Sequence, residues 1–363
     1  MERIYFDHNA TTPMNNKVVM AMSKISHLAL NASSPHYHGR YARKILENAR
    51  ANIKKYFSLH DTHELVFTSG CTESNNLVLS NFLEFQKICS CIEHQSITNL
   101  IDKSIIPVNN QGIVNTTYLE KYLAKHKGKK ILLSLMYANN EIGTIQPIQK
   151  IAHLTKQYNV IFHCDITQAI GKINIDSKGI DLITFSSHKF GGPLGSGALI
   201  YKKSLNLFPM LIGGGQEFGL RSGTPNITAI HGMNTAFTWI DDINHDFAQT
   251  TNLKQYLEQA LKRITKDVII FGENTDRLPN TSSIAMPNVS AETQLIFFDL
   301  HGISLSAGSA CSSGKIHVSK IQVSMGYSQD IATNSIRVSL GAKNTIKDID
   351  AFINLWETLY LQK

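Results

Sequence analysis

Residues 182–193 read LITFSSHKFGGP, an apolar run that passes directly into a polar, glycine-rich turn. The apolar run predicts a buried strand, and the turn after it brings Ser186, His188 and Lys189 to the strand's end. Most lysines in turns are simply exposed to solvent. A lysine that is partly desolvated at the end of a buried strand can instead act as a nucleophilic amine.

The same alternation of short apolar runs with amphipathic segments extends from about residue 60 to residue 205. Near-continuous apolar strands separated by helices predict an α/β fold with a mostly parallel sheet covered on both faces. In such sheets ligands bind beyond the carboxyl ends of the strands. The predicted strands are residues 64–68, 87–92, 130–137, 160–165, 181–186 and 197–201, and the predicted helices are residues 72–85, 116–125 and 147–158.

The pattern changes after residue 245, where a smaller α+β domain is predicted. Its strands are expected at residues 268–271, 283–286 and 335–340, and its helices at 292–300 and 346–360. The last helix carries apolar residues at alternating spacings of three and four, which indicates a packed face. We therefore predict a large domain over residues 15–245, and a small domain formed by residues 1–14 and 246–363.

Composition excludes several classes of protein. Hydrophobic residues make up 42% of the 363 residues and charged residues only 17%, which is unlike a disordered chain. No apolar run approaches the ~20 residues of a membrane span, and no signal region opens the chain, so we expect a cytoplasmic protein without a membrane partner. The net charge of +7 is spread along the chain apart from a short run at residues 125–130, so nucleic acid is not an expected partner.

The five cysteines do not form a recognisable framework. Without a signal region they predict no disulfide scaffold, and the absence of a CxxC pair makes a structural zinc site an unfavoured interpretation. The remaining question is whether one of them is a nucleophile.

Two further strand ends carry polar residues that matter in combination. Residues 68–76 (TSGCTESNN) place Thr72 at a predicted helix start, where backbone N–H groups favour an anion, although a hydroxyl residue at a helix start more often simply caps the helix. Asp165 ends another buried strand and either caps the next segment or meets a cation. An anion cradle, a carboxylate and the amine of Lys189 at three strand ends together predict a site for pyridoxal phosphate.

The chain resembles the NifS/IscS-like cysteine desulfurases, which have the class V aminotransferase fold. The resemblance runs from residue 4 to about residue 341 and rests on short motifs in the family's order. They are residues 10–13 (ATTP), 68–76, 93–94 (EH), 139–141 (NNE), 165–168 (DITQ), 186–189 (SSHK), 221–224 (RSGT), 309–314 (SACSSG) and 335–337 (SIR). The resemblance implies a pyridoxal-phosphate-dependent transferase of fold type I, similar to aspartate aminotransferase.

The resemblance also implies a role for each matching residue. Lys189 corresponds to the lysine that carries the cofactor and moves protons at the substrate Cα, and His94 corresponds to an imidazole on the cofactor ring that is a candidate acid or base. Arg337 and Asn140 correspond to residues that orient the substrate. The residues implied to hold the cofactor are Cys71, Thr72, Asn140, Asp165 (ring nitrogen), Gln168 (phenolic oxygen), Ser186, His188, Lys189 and Thr224. Thr224 corresponds to a phosphate ligand from a second subunit, which implies a homodimer with shared sites.

Cys311 is the residue that would make such an enzyme a desulfurase. By itself, a cysteine among alanines and serines is more often a small buried residue. In the family context its thiolate attacks the sulfur of bound L-cysteine, which leaves a persulfide on Cys311 and releases L-alanine. A proton acceptor such as His94 is then expected nearby. The sulfur would pass to an acceptor protein for iron–sulfur cluster assembly or thiolation. No resident metal is implied, although Cys311 would be placed to contact a nascent iron–sulfur cluster.

Three features depart from the family pattern. Cys71 and Ile166 each stand where alanine is customary; Ile166 is expected on the cofactor's ring face, where its bulk would tilt the ring. The sequence ends soon after the last predicted helix, so we do not expect scaffold docking through a long C-terminal tail. Alternative interpretations are a selenocysteine lyase or another class V aminotransferase-type enzyme, and a degenerate homologue that only binds partners.

Overall fold

The structure is a computed structural model that describes residues 3–101, 106–308 and 318–362. Its strands are β1 (Ile4–Tyr5), β2 (His63–Thr68), β3 (Gln86–Cys89), β4 (Ile131–Met136), β5 (Ile161–Asp165), β6 (Leu182–Ser186), β7 (Gly197–Lys202), β8 (Ile269–Ile270), β9 (Thr281–Ala285), β10 (Ile303–Ser304) and β11 (Ser335–Ser339). Its helices are α1 (Asn16–Ile25), α2 (Tyr37–Tyr56), α3 (Cys71–Asn81), α4 (Gln95–Thr98), α5 (Thr116–Lys125), α6 (Ile148–Gln157), α7 (Ile227–Thr238), α8 (Ile240–Ile264), α9 (Ala291–Leu300), α10 (Lys320–Ser324), α11 (Gln329–Thr333) and α12 (Ile346–Leu361).

A six-stranded sheet in the order β2-β7-β6-β5-β4-β3 forms the centre of the molecule. Strands β3 to β6 are parallel, which confirms the mostly parallel α/β sheet predicted from the sequence. Strand β7 runs antiparallel to both β6 and β2. Only residues 187–196 connect β6 to β7, and a parallel crossover needs a longer connection, usually with a helix.

Some predicted elements are shorter in the structure. Helix α3 ends at Asn81 rather than at residue 85, because the side chain of Asn81 takes up backbone groups there. Its Nδ2 donates to the Leu77 carbonyl, and its Oδ1 accepts from the backbone N–H of Phe208. Strand β3 ends at Cys89 rather than at residue 92, since Ser90 turns its hydroxyl to the carboxylate of Glu93.

Helices cover both faces of this sheet, as predicted. On one face the rings of Phe57, Phe185, Phe190 and Phe237 pack edge-on or tilted, with centroids 5.4 to 6.5 Å apart. On the other face α3 buries apolar side chains, including Leu77, against the sheet. Because β3 to β6 are parallel, their carboxyl ends lie at the same edge of this packed sheet.

A second core forms around the antiparallel sheet β11-β9-β8, with α8, α9 and α12. Phe298 and Phe352 stack at 4.6 Å, and Phe6 from the N-terminal segment packs edge-on against Phe352. Strand β1 pairs with β10, which joins the N-terminal segment to this core. Helix α8 continues across residue 245, and the exact domain boundary stays a prediction.

No helix in the part of the chain that the structure describes combines the length and apolar character needed to cross a membrane. The cytoplasmic location inferred from the sequence stays a prediction.

His163 gives the fold a pH dependence. It is fully buried on β5 and lies 2.8 Å from the Ser134 hydroxyl on β4 and 2.9 Å from the Thr184 hydroxyl on β6. Burial lowers its pKa to about 4. Below pH 6.5 the unfolded chain takes up a proton that the folded protein refuses until about pH 4, so stability falls through that window.

At pH 5 this histidine alone should lower the free energy of unfolding by roughly 2 kcal/mol relative to pH 7. The change His163→Gln should remove that share of the pH dependence while leaving the contributions of other histidines. Urea unfolding of the apoprotein at both pH values measures it. If the free energy of unfolding fell by the same amount from pH 7 to pH 5 in the wild type and in His163→Gln, the result would contradict this assignment.

Candidate active site

The carboxyl ends of the parallel strands open onto a cavity of about 760 Å³. Its walls come from the sheet edge, the N-terminal segment and β11, so both cores contribute to it. Most of the residues predicted from the sequence line this cavity: Cys71, Thr72, His94, Asn140, Asp165, Gln168, Ser186, His188, Lys189 and Arg337.

One end of the cavity is rich in hydrogen-bond donors suited to an anion. Helix α3 begins there, and the backbone N–H of Cys71 donates to the Ser186 hydroxyl at 2.7 Å. A Cβ at Gly197 would lie 2.6 Å from the Cα of Gly70, so the glycine lets the helix start approach the sheet this closely. The exposed Thr72 adds a hydroxyl to the free N–H groups and positive dipole end of the helix.

His188 lies at the same end, in a short 3-10 turn that follows β6. Its Nδ1 is 3.1 Å from the Thr11 hydroxyl. Burial, and then the charges of Lys189 and Lys172, lower its pKa to about 4. His188 is therefore neutral at neutral pH and can offer an uncharged N–H donor.

Asp165 ends β5 in the middle of the sheet and is 7% exposed. The hydrogen bonds that reach its carboxylate come from neutral groups: Asn75 Nδ2 at 3.1 Å, the Cys71 thiol at 3.3 Å and the backbone N–H of Thr167 at 2.9 Å. A buried carboxylate held in this way retains a strong attraction for a cation in the cavity.

Lys189 reaches across the cavity to the N-terminal segment. Its Nζ donates to the backbone carbonyls of Asn9 at 2.9 Å and Ala10 at 2.6 Å. The side chain is half-buried and lines the cavity, so the amine is accessible to a ligand there.

His94 caps α4, and its geometry fixes its tautomer. Its Nδ1 accepts the backbone N–H of Ser96 at 3.1 Å and lies 2.8 Å from the Ser96 hydroxyl, which in turn accepts from Asn75 at 2.9 Å. Because Nδ1 is an acceptor, neutral His94 carries its proton on Nε2. At that nitrogen the neutral side chain can donate a hydrogen bond to a ligand, and it can give up a proton only when the ring is protonated on both nitrogens.

Arg337 projects from β11 and is 4% exposed. Its Nη2 donates to Asp7 Oδ1 at 2.7 Å and its Nη1 donates to the Asn140 carbonyl at 3.0 Å. Asp7 is itself held by the Ser306 hydroxyl at 2.7 Å. The carboxylate thus fixes the guanidinium at the cavity wall, where N–H groups can grip an anionic group.

The expectation for Ile166 was wrong. Its side chain is fully buried in the large core, while its neighbour Thr167 lines the cavity. Alternate residues leave the end of β5 on opposite sides, so the bulk of Ile166 does not enter the cavity and gives no reason for a tilted ligand.

The Cys71 and Cys164 side chains are buried at the strand ends that form the site, and Cys71 lines the cavity. Burial raises the pKa of both thiols well above the usual range, and the charge of Asp165 adds to the effect. Both are therefore protonated and poor nucleophiles.

Among the predicted site residues that the structure describes, Thr224 does not line the cavity. It is exposed on the segment that precedes α7. Cys311 lies outside the described residues.

Sequence reasoning missed Asp7, Asn9, Asn75 and Lys172. Asn9 accepts from Lys189 and Gln168 through its backbone carbonyl and from Lys172 through its side chain, so it joins three elements. Each of these contacts is long-range, and no local pattern signals it. Asn75 sits within a quoted motif, three residues after Thr72, but its burial against Asp165 follows only from the packing of α3.

The fold and this cavity define a class of two-core α/β enzymes with a lysine and a carboxylate at neighbouring strand ends. A family model described as aminotransferase class-V matches residues 4–352, and the chain belongs to that family.

Similar proteins have consistent names. The chain is 35% identical to the cysteine desulfurase IscS of Dictyoglomus turgidum, over 98% of this chain and 94% of that protein. It is 34% identical to the putative cysteine desulfurase IscS 1 of Bacillus subtilis, over 96% of each. Among solved structures, a NifS-like protein from Rickettsia africae is 39% identical with a TM-score of 0.92 and 99% coverage of both chains.

The pairing of Arg337 with Asp7 can be tested by stability. Because both groups are largely buried, Arg337→Met should cost about 3 kcal/mol of unfolding free energy by leaving Asp7 without its cation. Asp7→Asn in the same chain should recover at least 1 kcal/mol of that loss. Denaturant unfolding of the single and double variants measures the coupling, and strictly additive effects would contradict the pairing.

Proposed function

We propose that the protein is a pyridoxal-phosphate-dependent L-cysteine desulfurase, which converts L-cysteine to L-alanine and retains the sulfur as a persulfide on Cys311. The observation that carries the proposal is the meeting of Lys189, Asp165 and the start of α3 in one cavity. The names of the similar proteins support cysteine as the substrate.

The donor set of the cavity fits the chemistry of this cofactor. Lys189 offers an amine to the aldehyde. Asp165, whose hydrogen bonds within the described residues come from neutral donors, offers a counter-charge to a protonated ring nitrogen. The start of α3, with Ser186 and His188, offers neutral donors to the phosphate. When bound, the cofactor withdraws electrons from the Cα of an attached amino acid.

The surrounding residues then have distinct tasks. Arg337, fixed by Asp7, grips the substrate carboxylate and turns the Cα toward the cofactor. The amine of Lys189, which lines the same cavity, would take and return the proton of that Cα. The N–H at His94 Nε2 makes neutral His94 a hydrogen-bond donor to the sulfur side of the substrate.

Cys311 takes the sulfur. Its thiolate forms a bond to the substrate sulfur as the carbon–sulfur bond breaks, and the electron pair of the broken bond stays with the carbon skeleton. Protonation of that skeleton gives L-alanine, and Cys311 holds the second sulfur. We expect an acceptor protein of iron–sulfur cluster assembly or thiolation to receive it.

We also propose that the active unit is a homodimer in which Thr224 completes the phosphate site of the partner subunit. Support comes from the segment before Thr224, which exposes Phe208 (70%), Ile212 (88%) and Phe218 (57%). The buried ion pair of Arg50 with Glu217 holds this segment to the sheet. An exposed apolar segment that an ion pair holds in place is suited to pack against a second copy of this chain.

Purified wild-type protein should absorb in the visible and release alanine from L-cysteine under reductant. Lys189→Ala should lose the visible band. Cys311→Ser should keep the band and lose more than about 99% of alanine release, since no thiol can accept the sulfur. Cys91→Ser is the matched control, because Cys91 does not line the cavity, and it should remain active.

Full alanine release by Cys311→Ser would contradict the role of that residue. Release from selenocysteine alone would instead identify a selenocysteine lyase, and a colourless wild-type protein would identify a non-catalytic homologue.

Hybrid dimers test whether Thr224 acts across subunits. In a hybrid of one Lys189→Ala chain with one Thr224→Ala chain, action across subunits leaves one intact site and one doubly altered site. Cofactor titration should then give one site of wild-type affinity. If Thr224 acts within its own chain, no wild-type site remains, and that result would contradict the proposal.

A further inference from the structure

Lys172 is a buried lysine beside the cavity that the proposed reaction does not use. It is 2% exposed, and its Nζ donates to Gln168 Oε1 at 2.7 Å and to Asn9 Oδ1 at 2.8 Å. Backbone bonds from Ala169 and Ile170 to the Ile166 carbonyl coil this segment, so residues 168 and 172 lie one turn apart on the same side.

Apart from the ring of Phe247, whose centroid lies 5.7 Å from Nζ, the surroundings of Lys172 do not favour its charge. Both acceptors are neutral amide oxygens, and the charged neighbours that act on it are the cations Lys189 and Arg337. His8 and His188 also lie within its electrostatic reach. Burial, reinforced by those cations, holds the pKa of Lys172 well below its usual value. Charge pairing therefore does not explain this lysine, and its two hydrogen bonds remain as its structural role.

Those two bonds fix the orientation of the Gln168 amide. Lys172 donates to one side of the amide, so Oε1 must face it, and Nε2 must face the opposite way. The Asn9 backbone carbonyl, 3.0 Å from Nε2, imposes the same orientation because it can only accept. One N–H of Gln168 is thereby used on Asn9, and the second is left for a ligand in the cavity.

Asn9 is locked in the same way. Its Oδ1 accepts from Lys172 and from Asn280 Nδ2 at 3.2 Å, and its Nδ2 donates to the Thr281 hydroxyl at 2.8 Å. A flipped Gln168 would bring its Oε1 against the backbone carbonyl of Asn9, and Lys172 Nζ would lose one of its two acceptors.

We propose that Lys172 is a positioning residue that locks the Gln168 amide so that an N–H group, and not the carbonyl oxygen, faces the phenolic oxygen of bound pyridoxal phosphate. This inference rests on the proposed function. A donor at that oxygen stabilises negative charge there, which lowers the pH at which the visible band of the bound cofactor titrates.

The test compares two buried lysines. Lys172→Met removes the donor at similar length, and it should raise the pH midpoint of the visible band by about one unit and weaken cofactor binding about tenfold. Lys254→Met is the matched control, because Lys254 is also buried and donates to a neutral carbonyl, that of Leu278, away from the cavity. It should leave the midpoint unchanged.

A second pair of variants separates orientation from charge. Gln168→Leu should raise the midpoint to a similar extent, and adding Lys172→Met to it should cause no further shift. A further shift in that background would assign the effect to the charge of Lys172 itself and overturn the proposal.

If Lys172→Met does not fold, Lys172→Gln serves instead, since its amide can donate or accept and therefore permits both orientations of Gln168. A partial upward shift is expected. An unchanged midpoint in a folded Lys172 variant overturns the inference, whereas a wild-type protein without any visible band overturns the proposed function first.

Discussion

A carboxylate at the end of the central strand shapes the whole site. Asp165 is buried by the packing of β5 between β4 and β6, and the groups that reach it are neutral donors from α3 and the adjoining turn. Such a group is stable only where the protein supplies hydrogen bonds and the cavity can hold a positive charge. Lys189, the start of α3 and the imidazole of His94 line the same cavity as this carboxylate.

The second constraint is that the two cores meet at the cavity. Arg337 comes from the small sheet and Asn9 from the N-terminal segment, yet both donate to the backbone carbonyl of Asn140 at the edge of the large sheet, and Asn9 also accepts from Gln168 there. Phe6 packs in the small core and β1 pairs with β10, so the N-terminal segment belongs to that core. Any shift between the two cores would therefore move Asn9 relative to Lys189. Precise positioning of the amine thus depends on packing remote from the chemistry.

Local patterns were enough to predict the parallel strands and the residues at their ends, because a buried strand has a continuous apolar signature and its last residue is polar. They did not predict the direction of β7, which depends on the length of a connection. The family resemblance, and not a local pattern, placed the Ile166 side chain at the cavity. That was wrong because side chains continue to alternate between the two sides as β5 passes into the turn. Lys172 looks like a surface lysine in the sequence, and only the fold reveals that Gln168 and Asn9 bury it.

The central claim is that Lys189, and not its buried neighbour Lys172, forms the bond to the cofactor. Reducing the cofactor-loaded protein with borohydride makes that bond permanent, and mass spectrometry of its peptides then locates the pyridoxyl group. The account predicts the label on Lys189 alone. A label on Lys172 or on another lysine, or no label on a coloured protein, would contradict it.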